Sequence, residues 1–399
     1  MPVSPSRSSQ PAHRRGDGAR PGDLEKEAPL SGSGRRGPLR VVVDGLPARG
    51  TSIGIALQHL LQGWTELGEG DELHVVMPED GEVELPAGIS PVPVALGRRP
   101  YLARVRAQST VIPRLCRSVG ADALLAVLPT TTVTPLPCPR IVIAHDLRYE
   151  LRPEQFARRA RVVRKVSYDI GYRQADAIVC VSGRTRDDLL AVHPYLRGRR
   201  VHVVHHGADH VHGWARRTGG DPYALAFGQW ANKNVDLVLE AWQLLHKRGH
   251  DVPLVIVGLP QPFRVHVTAR AAQLGLAGKV HPLPWLDSAE FESTFASSAL
   301  VVFPSDFEGF GLPAVEAMHL GIPLVVSADP ALLEVTGGLA SVMEGSGAEA
   351  LADAVERART AGPADLEAAR AHAAAFTWRR AAAEMRAVVL ETVAAGERA

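Results

Sequence analysis

The sequence predicts an α/β protein made of two doubly wound parallel sheets that face each other across a cleft. Two observations support this prediction. Short apolar runs alternate with helical stretches from residue 39 onward, and the alternation stops over residues 208–222 before it restarts. Alternating strands and helices favour a parallel sheet with helices on both faces. The chain has 399 residues, 46% of them hydrophobic, which is enough for two such cores.

The first series of elements spans residues 39–210. It opens with "LRVVVDG", a short apolar run typical of a buried strand, and continues with a helical pattern in "SIGIALQHLLQGW". Five further segments are predicted to be strands: "ELHVVMP", "ADALLAVLP", "RIVIAHD", "DAIVCVS" and "VHVVHHG". A long basic helix is predicted over residues 153–175.

The second series spans residues 211–399, with strands predicted in "YALAFG", "PLVIVGL", "ALVVFPS" and "IPLVVSA". Its last third is rich in alanine and helical, and we consider a return of the final helix, near 376–393, to the first domain. Residues 1–38 are rich in Pro, Gly, Ser and Arg and have little to bury, so we expect a disordered tail. The predicted domains are therefore 39–210 and 211–399.

Composition narrows the function classes. A net charge of +1 does not suggest binding to nucleic acid. The three cysteines, Cys116, Cys138 and Cys180, are scattered, which indicates a reducing compartment and no disulfide or zinc framework. We find no unbroken apolar span of about 20 residues and no apolar core of a signal peptide. We therefore expect a cytoplasmic protein, and we also consider the inner face of the membrane.

The segment "FPSDFEGFGLPAVEAM" combines two acids with a flexible loop. Its loop follows a predicted strand and precedes a helix that Pro313 can start, so free N–H groups there favour an anion. Gly309 and Gly311 let a ligand approach the backbone. Glu308 and Glu316 would repel a bare phosphate, but they can accept hydrogen bonds from hydroxyls. A ligand with hydroxyls at both ends and phosphate between them is a nucleotide sugar.

A cation for such a ligand is found in "FGQWANKN". Lys233 lies where a helix is predicted to begin, and a lysine there is suited to an anion held between helix and side chain. Asn232 or Asn234 is predicted to cap that helix.

Together these residues resemble the retaining GT-B glycosyltransferases of family 4, and the resemblance covers nearly everything from residue 39 on. Its signature, two glutamates separated by seven residues, matches Glu308 and Glu316. The resemblance implies two Rossmann-like domains, with Glu308 beside the donor sugar, Glu316 on the ribose hydroxyls and Lys233 on the diphosphate. It also assigns donor contacts to four residues of the loop and helix start: Gly309, Phe310, Gly311 and Leu312.

The resemblance extends to weaker matches. "IAHDLRYE" places His145 near the donor sugar as a catalytic residue, with Asp146 and Arg148 as acceptor contacts. By itself, His145 is more readily explained as a histidine bonded to local backbone. Gly228 and Gly54 match glycines of the donor site, although a helix turn explains Gly54 equally well. Family members often carry an arginine after the glycine, where this chain has Gln229, so one expected cation is absent.

Two alternatives concern the histidines and the basic helix. The histidines of "VHVVHHGADHVHGW" tempt a metal assignment, but alternate residues of a strand face opposite sides, and no Asp-x-Asp clamp is present. We therefore expect no metal and no cofactor.

The segment "FARRARVVRKVSY" has apolar residues on one side, which favours a surface helix packed on its sheet. These apolar residues are Phe156, Val162, Val163, Val166 and Ile170. Contact with a membrane or an anionic, lipid-linked acceptor is the sharper alternative.

The leading functional hypothesis is a retaining transferase that moves a sugar from a nucleotide-diphosphate sugar to an acceptor hydroxyl. The expected acceptor is a glycan, a lipid-linked sugar or a small natural product. The stretch "AHDLRYELRPEQFARR" most resembles bacterial enzymes that build surface polysaccharides with mannose or related sugars, and a natural-product acceptor fits nearly as well. Two alternatives are a nucleotide-sugar epimerase of the same fold, which lacks the glutamate signature, and a binding scaffold without turnover.

Overall fold

The computed structural model describes residues 37–48, 52–81, 83–97, 100–215 and 221–397, all of which belong to one compact unit. The predicted N-terminal tail, residues 1–38, falls outside the described residues except for its last two positions. Part of the predicted linker, residues 216–220, also falls outside them.

Among the described residues, the first sheet has seven parallel strands in the order β3-β2-β1-β4-β5-β6-β7. Its strands are β1 Arg40–Asp44, β2 Glu72–Pro78, β3 Ser90–Val94, β4 Ala123–Ala126, β5 Arg140–Ala144, β6 Ala177–Cys180 and β7 Val201–Val203. The helices of this part are α1 Ser52–Thr65, α2 Pro100–Val119, α3 Arg148–Leu151, α4 Arg158–Gln174 and α5 Gly183–Val192. The strand order reverses at β1, so the sheet is doubly wound, as predicted.

The second sheet has six parallel strands among the described residues, in the order β10-β9-β8-β11-β12-β13. Its strands are β8 Ala224–Phe227, β9 Leu254–Val257, β10 Val280–Pro282, β11 Leu300–Phe303, β12 Leu324–Val326 and β13 Ser341–Val342. Its helices are α6 Val235–Lys247, α7 Gln261–Gln273, α8 Ser288–Ala296, α9 Leu312–Leu320, α10 Pro330–Thr336, α11 Ala348–Arg359, α12 Pro363–Ala373 and α13 Trp378–Gly396. The predicted fold class is confirmed.

Three strands were not predicted: β3, β10 and β13. Each lies at an edge of its sheet and is short or contains proline. Pro91 and Pro93 in β3 lack the N–H group that a central strand needs, but an edge strand tolerates them. These segments therefore show neither the length nor the apolar pattern of the central strands.

The last helix, α13, packs against α1, which covers the first sheet. The backbones meet so closely that a Cβ atom on Gly63 would lie 2.3 Å from the carbonyl oxygen of Trp378. Arg386 of α13 also binds Asp71, which precedes β2, with its Nε atom 2.7 Å from Oδ2. The C-terminal helix thus lies on the layer of the first sheet, while the domain division at residue 210 stays a prediction.

The basic helix α4 shows a different buried face from the predicted one. It begins at Arg158, after a 3₁₀ turn at Pro153–Gln155, and buries Tyr168, Gly171 and Tyr172. The side chains expected to pack on the sheet are exposed instead, by between 38% and 55%: Val162, Val163, Val166 and Ile170. The packing prediction for these four residues is wrong, because the large aromatic residues take the inner side of the helix.

In the described part of the chain, no helix combines the length and the apolar character that a membrane crossing requires.

Candidate active site

The candidate site lies where the carboxyl ends of the two sheets meet. Parallel strands bring their carboxyl ends to one edge, and ligands of open α/β sheets bind there. His145 and Asp146 follow β5, whereas Glu308 and Gly309 follow β11. A Cβ atom on Gly309 would lie only 1.7 Å from the carbonyl oxygen of His145. The first and second halves are therefore in direct backbone contact at this edge, and only glycine fits at position 309.

Lys233, which is buried, and Glu308, which is partly buried, form an ion pair at the centre of the site. The Nζ atom of Lys233 lies 2.6 Å from Oε1 of Glu308, and Lys233 is only 6% exposed. The ammonium group also lies 4.2 Å from the ring centre of Phe303. Asn232 donates from Nδ2 to the same Glu308 oxygen at 3.0 Å. A cation, a carboxylate and an amide are thus held together, whereas the roles predicted for Lys233 on a diphosphate and for Glu308 beside a sugar stay predictions.

The helix after Lys233 is not capped as predicted. It begins at Val235, and Lys233 itself belongs to a 3₁₀ turn at Ala231–Lys233. Asn234 has a left-handed backbone, with φ at 53°, and its side chain donates to the carbonyl oxygen of Pro304. The side chain of Asn232 instead donates to Glu308, in the loop that follows β11. Both asparagines therefore connect to the β11 loop, and neither side chain caps α6.

The glycine-rich loop is shaped by its contacts with the first half. The carbonyl oxygen of Gly309 accepts hydrogen bonds from the hydroxyls of Ser182 and Thr185 at 2.5 and 3.1 Å. Gly311 precedes α9 with φ at 91°, where a Cβ atom would lie 2.4 Å from Leu332. Phe310 is buried. Leu312 begins α9 and is also buried. The side chains of Phe310 and Leu312 therefore fix the loop by packing into the core.

His145 is a half-buried imidazole with one ring nitrogen bound to the backbone. Its Nε2 atom lies 2.9 Å from the carbonyl oxygen of Val127, which can only accept, so Nε2 carries the proton. Burial lowers the pKa of His145, although the bond to Val127 and the charge of Asp146 oppose that shift. The bond to backbone that the alternative explanation of His145 requires is present, and Nδ1 is left as the acceptor nitrogen.

Asp146 and Arg148 take different positions. Asp146 accepts from the backbone N–H of Arg148 at 2.9 Å and so shapes the turn into α3. The guanidinium of Arg148 reaches into the second half and donates from Nη1 to Oδ1 of Asn232. Arg148 is therefore next to the group of Lys233 and Glu308.

Glu316 lies apart from Glu308, on the buried side of α9. Its Oε1 atom lies 3.3 Å from Nε2 of His210, which sequence reasoning did not select. The Nδ1 atom of His210 accepts from the indole N–H of Trp378 at 3.0 Å, and its ring stacks on His59 at 4.4 Å. Glu316 is thus held in an aromatic setting, with a histidine on its carboxylate.

Gly228 and Gln229 line a cleft of about 440 Å³ at the start of α6. A Cβ atom on Gly228 would lie 2.3 Å from Leu259, so a side chain is excluded there. The Oε1 atom of Gln229 is buried and has no hydrogen-bond partner. Gly54 lies inside α1 as its third residue and is buried, while the turn before α1 includes residues outside the described ranges.

Sequence reasoning missed Arg184, which connects the halves. Its Nη1 atom donates to the carbonyl oxygen of Glu308 at 2.7 Å and to Oδ2 of Asp329 at 2.9 Å. Burial raises the pKa of Asp329 despite the charge of Arg184. Arg184 follows β6, and Asp329 follows β12. Both are polar residues a few positions after a strand, so a search of the residues at the carboxyl ends of the strands would have found them.

Glu334 forms a second connection between the halves. Its carboxylate accepts from the N–H groups of Gly183 and Arg184 at 2.7 and 3.0 Å and from Nε2 of His205 at 2.7 Å. Burial acts to raise the pKa of Glu334, but these hydrogen bonds outweigh it and the pKa lies below its usual value. The free N–H groups at the N-terminus of α5 therefore donate to a carboxylate of the second half.

The five clustered histidines have separate surroundings. His205 binds Glu334, and His210 binds Glu316. The other three lie near different groups: His202 near Glu391, His206 against His145, and His212 against His319. The strand and the following turn thus direct these side chains to different places.

Comparisons with known proteins find glycosyltransferases along both halves of the chain. The model described as Glycosyltransferase Family 4 matches residues 53–212, and the model described as Glycosyl transferases group 1 matches residues 216–372. D-inositol 3-phosphate glycosyltransferase 1 of Catenulispora acidiphila is 32% identical over 56% of this chain and 59% of its own length. MMP alpha-(1->4)-mannosyltransferase of Mycolicibacterium hassiacum is 34% identical over 41% of this chain and 40% of its own length. The chain thus matches only part of the length of these relatives.

Solved structures share the fold along nearly the whole chain. Sucrose-phosphate synthase from Thermosynechococcus elongatus superposes with a TM-score of 0.70 at 16% identity, covering 90% of this chain and 100% of that one. Anabaena HepE, solved in complex with UDP-glucose, gives a TM-score of 0.64 at 15% identity, with coverage of 90% and 100%. With one family model on each sheet, the chain belongs to the family 4 glycosyltransferases of the GT-B fold.

Proposed function

We propose that this protein transfers a sugar from a nucleoside-diphosphate sugar to an acceptor hydroxyl. The observation that carries the proposal is the largely buried group of Lys233, Glu308 and Asn232. This group combines a cation for phosphate with acceptors for sugar hydroxyls. Gly309, next to Glu308, is in backbone contact with His145 of the first half. Two relatives, an inositol phosphate glycosyltransferase and a mannosyltransferase, support a hexosyl donor.

The donor would lie mainly on the second half. The start of α9 offers backbone N–H groups to phosphate, and Lys233 adds a full positive charge to the leaving diphosphate. Glu316 would accept from the ribose hydroxyls, with His210 orienting its carboxylate. We propose that these groups act without a metal, because cation and helix terminus stabilise the same developing charge.

We propose that transfer occurs with retention of the anomeric configuration. The double-displacement route needs a carboxylate free to attack the anomeric carbon. Glu308 is instead bonded to Lys233 and Asn232, a role suited to fixing the site. Attack from the face that the diphosphate leaves requires no carboxylate, because a phosphate oxygen takes the acceptor proton. Neutral His145 would accept a hydrogen bond from the sugar at Nδ1.

One incubation separates the three functional hypotheses. The protein is mixed with GDP-, UDP- or dTDP-sugars, with and without a panel of acceptors. Release of nucleoside diphosphate that depends on an acceptor supports transfer, and a changed sugar on the nucleotide would instead show an epimerase. Binding without release, for every donor and acceptor tried, would show a scaffold and contradict the proposal.

We further propose that the outer face of α4 contacts an anionic lipid surface at the cytoplasmic side of a membrane. This outer face consists of Val162, Val163, Val166 and Ile170, opposite the buried tyrosines. Arg158 and Arg159, at the start of the same helix, are exposed and bond to no described residue. Aliphatic side chains flanked by unpaired cations suit the boundary between headgroups and acyl chains.

A further inference from the structure

The site described above has a neutral side chain where a second cation would serve a diphosphate. Gln229 lies over Gly258, with its Oε1 atom 3.3 Å from where a Cβ atom of that glycine would be. The amide oxygen can only accept hydrogen bonds, and although the amide Nε2 can donate to a phosphate oxygen, the side chain adds no positive charge. The full charge that Lys233 supplies is partly offset by its pairing with Glu308.

The first half supplies an arginine to the same group. Arg148 donates from Nη1 to Oδ1 of Asn232, and Nδ2 of Asn232 donates to Glu308 at 3.0 Å. Glu308 in turn binds Lys233 at 2.6 Å. Arg148 and Lys233 are therefore separated by one amide and one carboxylate, with two positive charges for one negative charge.

The guanidinium of Arg148 is held in place but has unused donors. It lies 5.3 Å from the ring centre of Phe156 and 5.9 Å from that of Trp230. Its Nε atom is buried without a hydrogen-bond partner, and no described carboxylate pairs with it. Arg184, by contrast, is paired with Asp329 at 2.9 Å. An arginine that is fixed by aromatic rings and has free N–H groups is well suited to an anion.

We propose that Arg148 is the second diphosphate cation and compensates for Gln229. The inference rests on the proposed function and replaces the acceptor-binding role expected from the sequence. Arg148 belongs to the first half and Lys233 to the second, so the phosphates meet both charges only when the halves are together. Nucleotide affinity would then depend on closure of the cleft, which a cation at position 229 would not require.

The test uses the full chain and four variants: Arg148→Gln, Arg148→Lys, Gln229→Arg and the double variant Arg148→Gln/Gln229→Arg. Calorimetry measures binding of GDP and UDP, and of GMP and UMP, which lack the second phosphate. Arg379→Gln, at an exposed residue of α13, serves as the matched control. Thermal unfolding of each variant shows whether it is folded.

We expect Arg148→Gln to weaken binding of the diphosphate that the parent prefers by roughly ten- to a hundredfold, the scale of one hydrogen bond to a charged group. Binding of the matching monophosphate should change much less. Arg148→Lys should retain part of the affinity, and Gln229→Arg should restore part of it in the double variant. This rescue from the other half is a result that a merely structural role would not produce.

Two outcomes overturn the inference. If Arg148→Gln binds the diphosphate as the parent does, the arginine does not contact it, and a loss of transfer alone would return it to the acceptor. If Arg148→Gln weakens binding of the monophosphate and of the diphosphate equally, and Gln229→Arg restores neither, the role of Arg148 is structural. A parent that binds neither nucleotide, together with no turnover of any donor, would instead contradict the proposed function itself.

Discussion

At the residue scale, Glu316 tests the ribose assignment. Glu316→Ala should weaken binding of the nucleoside diphosphate by about 1–3 kcal/mol, because buried hydroxyls would lose their acceptor. Calorimetry measures the change, and Glu349→Ala, at an exposed glutamate of α11, is the matched control. Equal affinity of Glu316→Ala and parent would show that the ribose lies elsewhere.

Lys233 tests the placement of the diphosphate. Lys233→Ala should lower kcat/KM by roughly 10²–10³, the scale for one preorganised electrostatic donor. It also leaves Glu308 without its cation, so thermal unfolding must accompany the kinetics. Lys247→Ala, at the exposed end of α6, is the control. Near-parental kcat/KM in a folded Lys233→Ala protein would place the anion away from α6.

Asp44 at the end of β1 makes stability depend on pH. Burial raises its pKa to about 7, although hydrogen bonds from Gln108 and Leu46 oppose this. The folded protein then binds this proton more tightly than the unfolded chain, so the stabilisation present below pH 4 is lost as the pH rises to 7. Asp44→Asn should be more stable than the parent at pH 8, on the order of a few kcal/mol. Denaturant unfolding at pH 5 and pH 8 should show a larger gain at pH 8, and an equal gain would contradict the assignment.

At the element scale, α4 decides whether the protein meets a membrane. The parent should sediment with vesicles of phosphatidylglycerol but not with those of phosphatidylcholine, and Arg158→Glu/Arg159→Glu should abolish this, because reversed charges are repelled by anionic lipid. Lys247→Glu/Arg379→Glu changes the same charge at exposed residues outside α4. If both double variants bind vesicles equally, α4 is not the contact.

At the scale of the whole molecule, Arg184 holds the two halves together. Arg184→Met removes the partner of buried Asp329 and should lower the free energy of unfolding by about 3–5 kcal/mol. Arg184→Met/Asp329→Asn should regain part of this, because asparagine is neutral and can still cap α10. Chemical denaturation measures both variants. Arg184 also pairs with Asp188, which loses its partner in both variants. A double variant no more stable than Arg184→Met would therefore show that the uncompensated charge of Asp329 is not the cause.

The sequence by itself determined the fold class and indicated which residues lie at the carboxyl ends of the central strands. Central parallel strands are long apolar runs buried on both faces, so their pattern is local and readable, and the polar residues after them mark the carboxyl edge. Glu308, Lys233 and the glycines are close in sequence to the strands that place them. The edge strands were missed because proline and short length hide their pattern.

Only the tertiary structure decided which residues meet between the halves. The contacts of Arg148 with Asn232, Arg184 with Asp329 and Glu316 with His210 join residues far apart in sequence, and no local period encodes such pairings. The sequence also did not show which face of α4 points outward, because its valines and its tyrosines are both largely apolar. In the structure the tyrosines are buried and the valines are exposed. The spacing of apolar residues indicates that a helix has two different faces. Which face is buried depends on which side chains fill the volume available against the sheet.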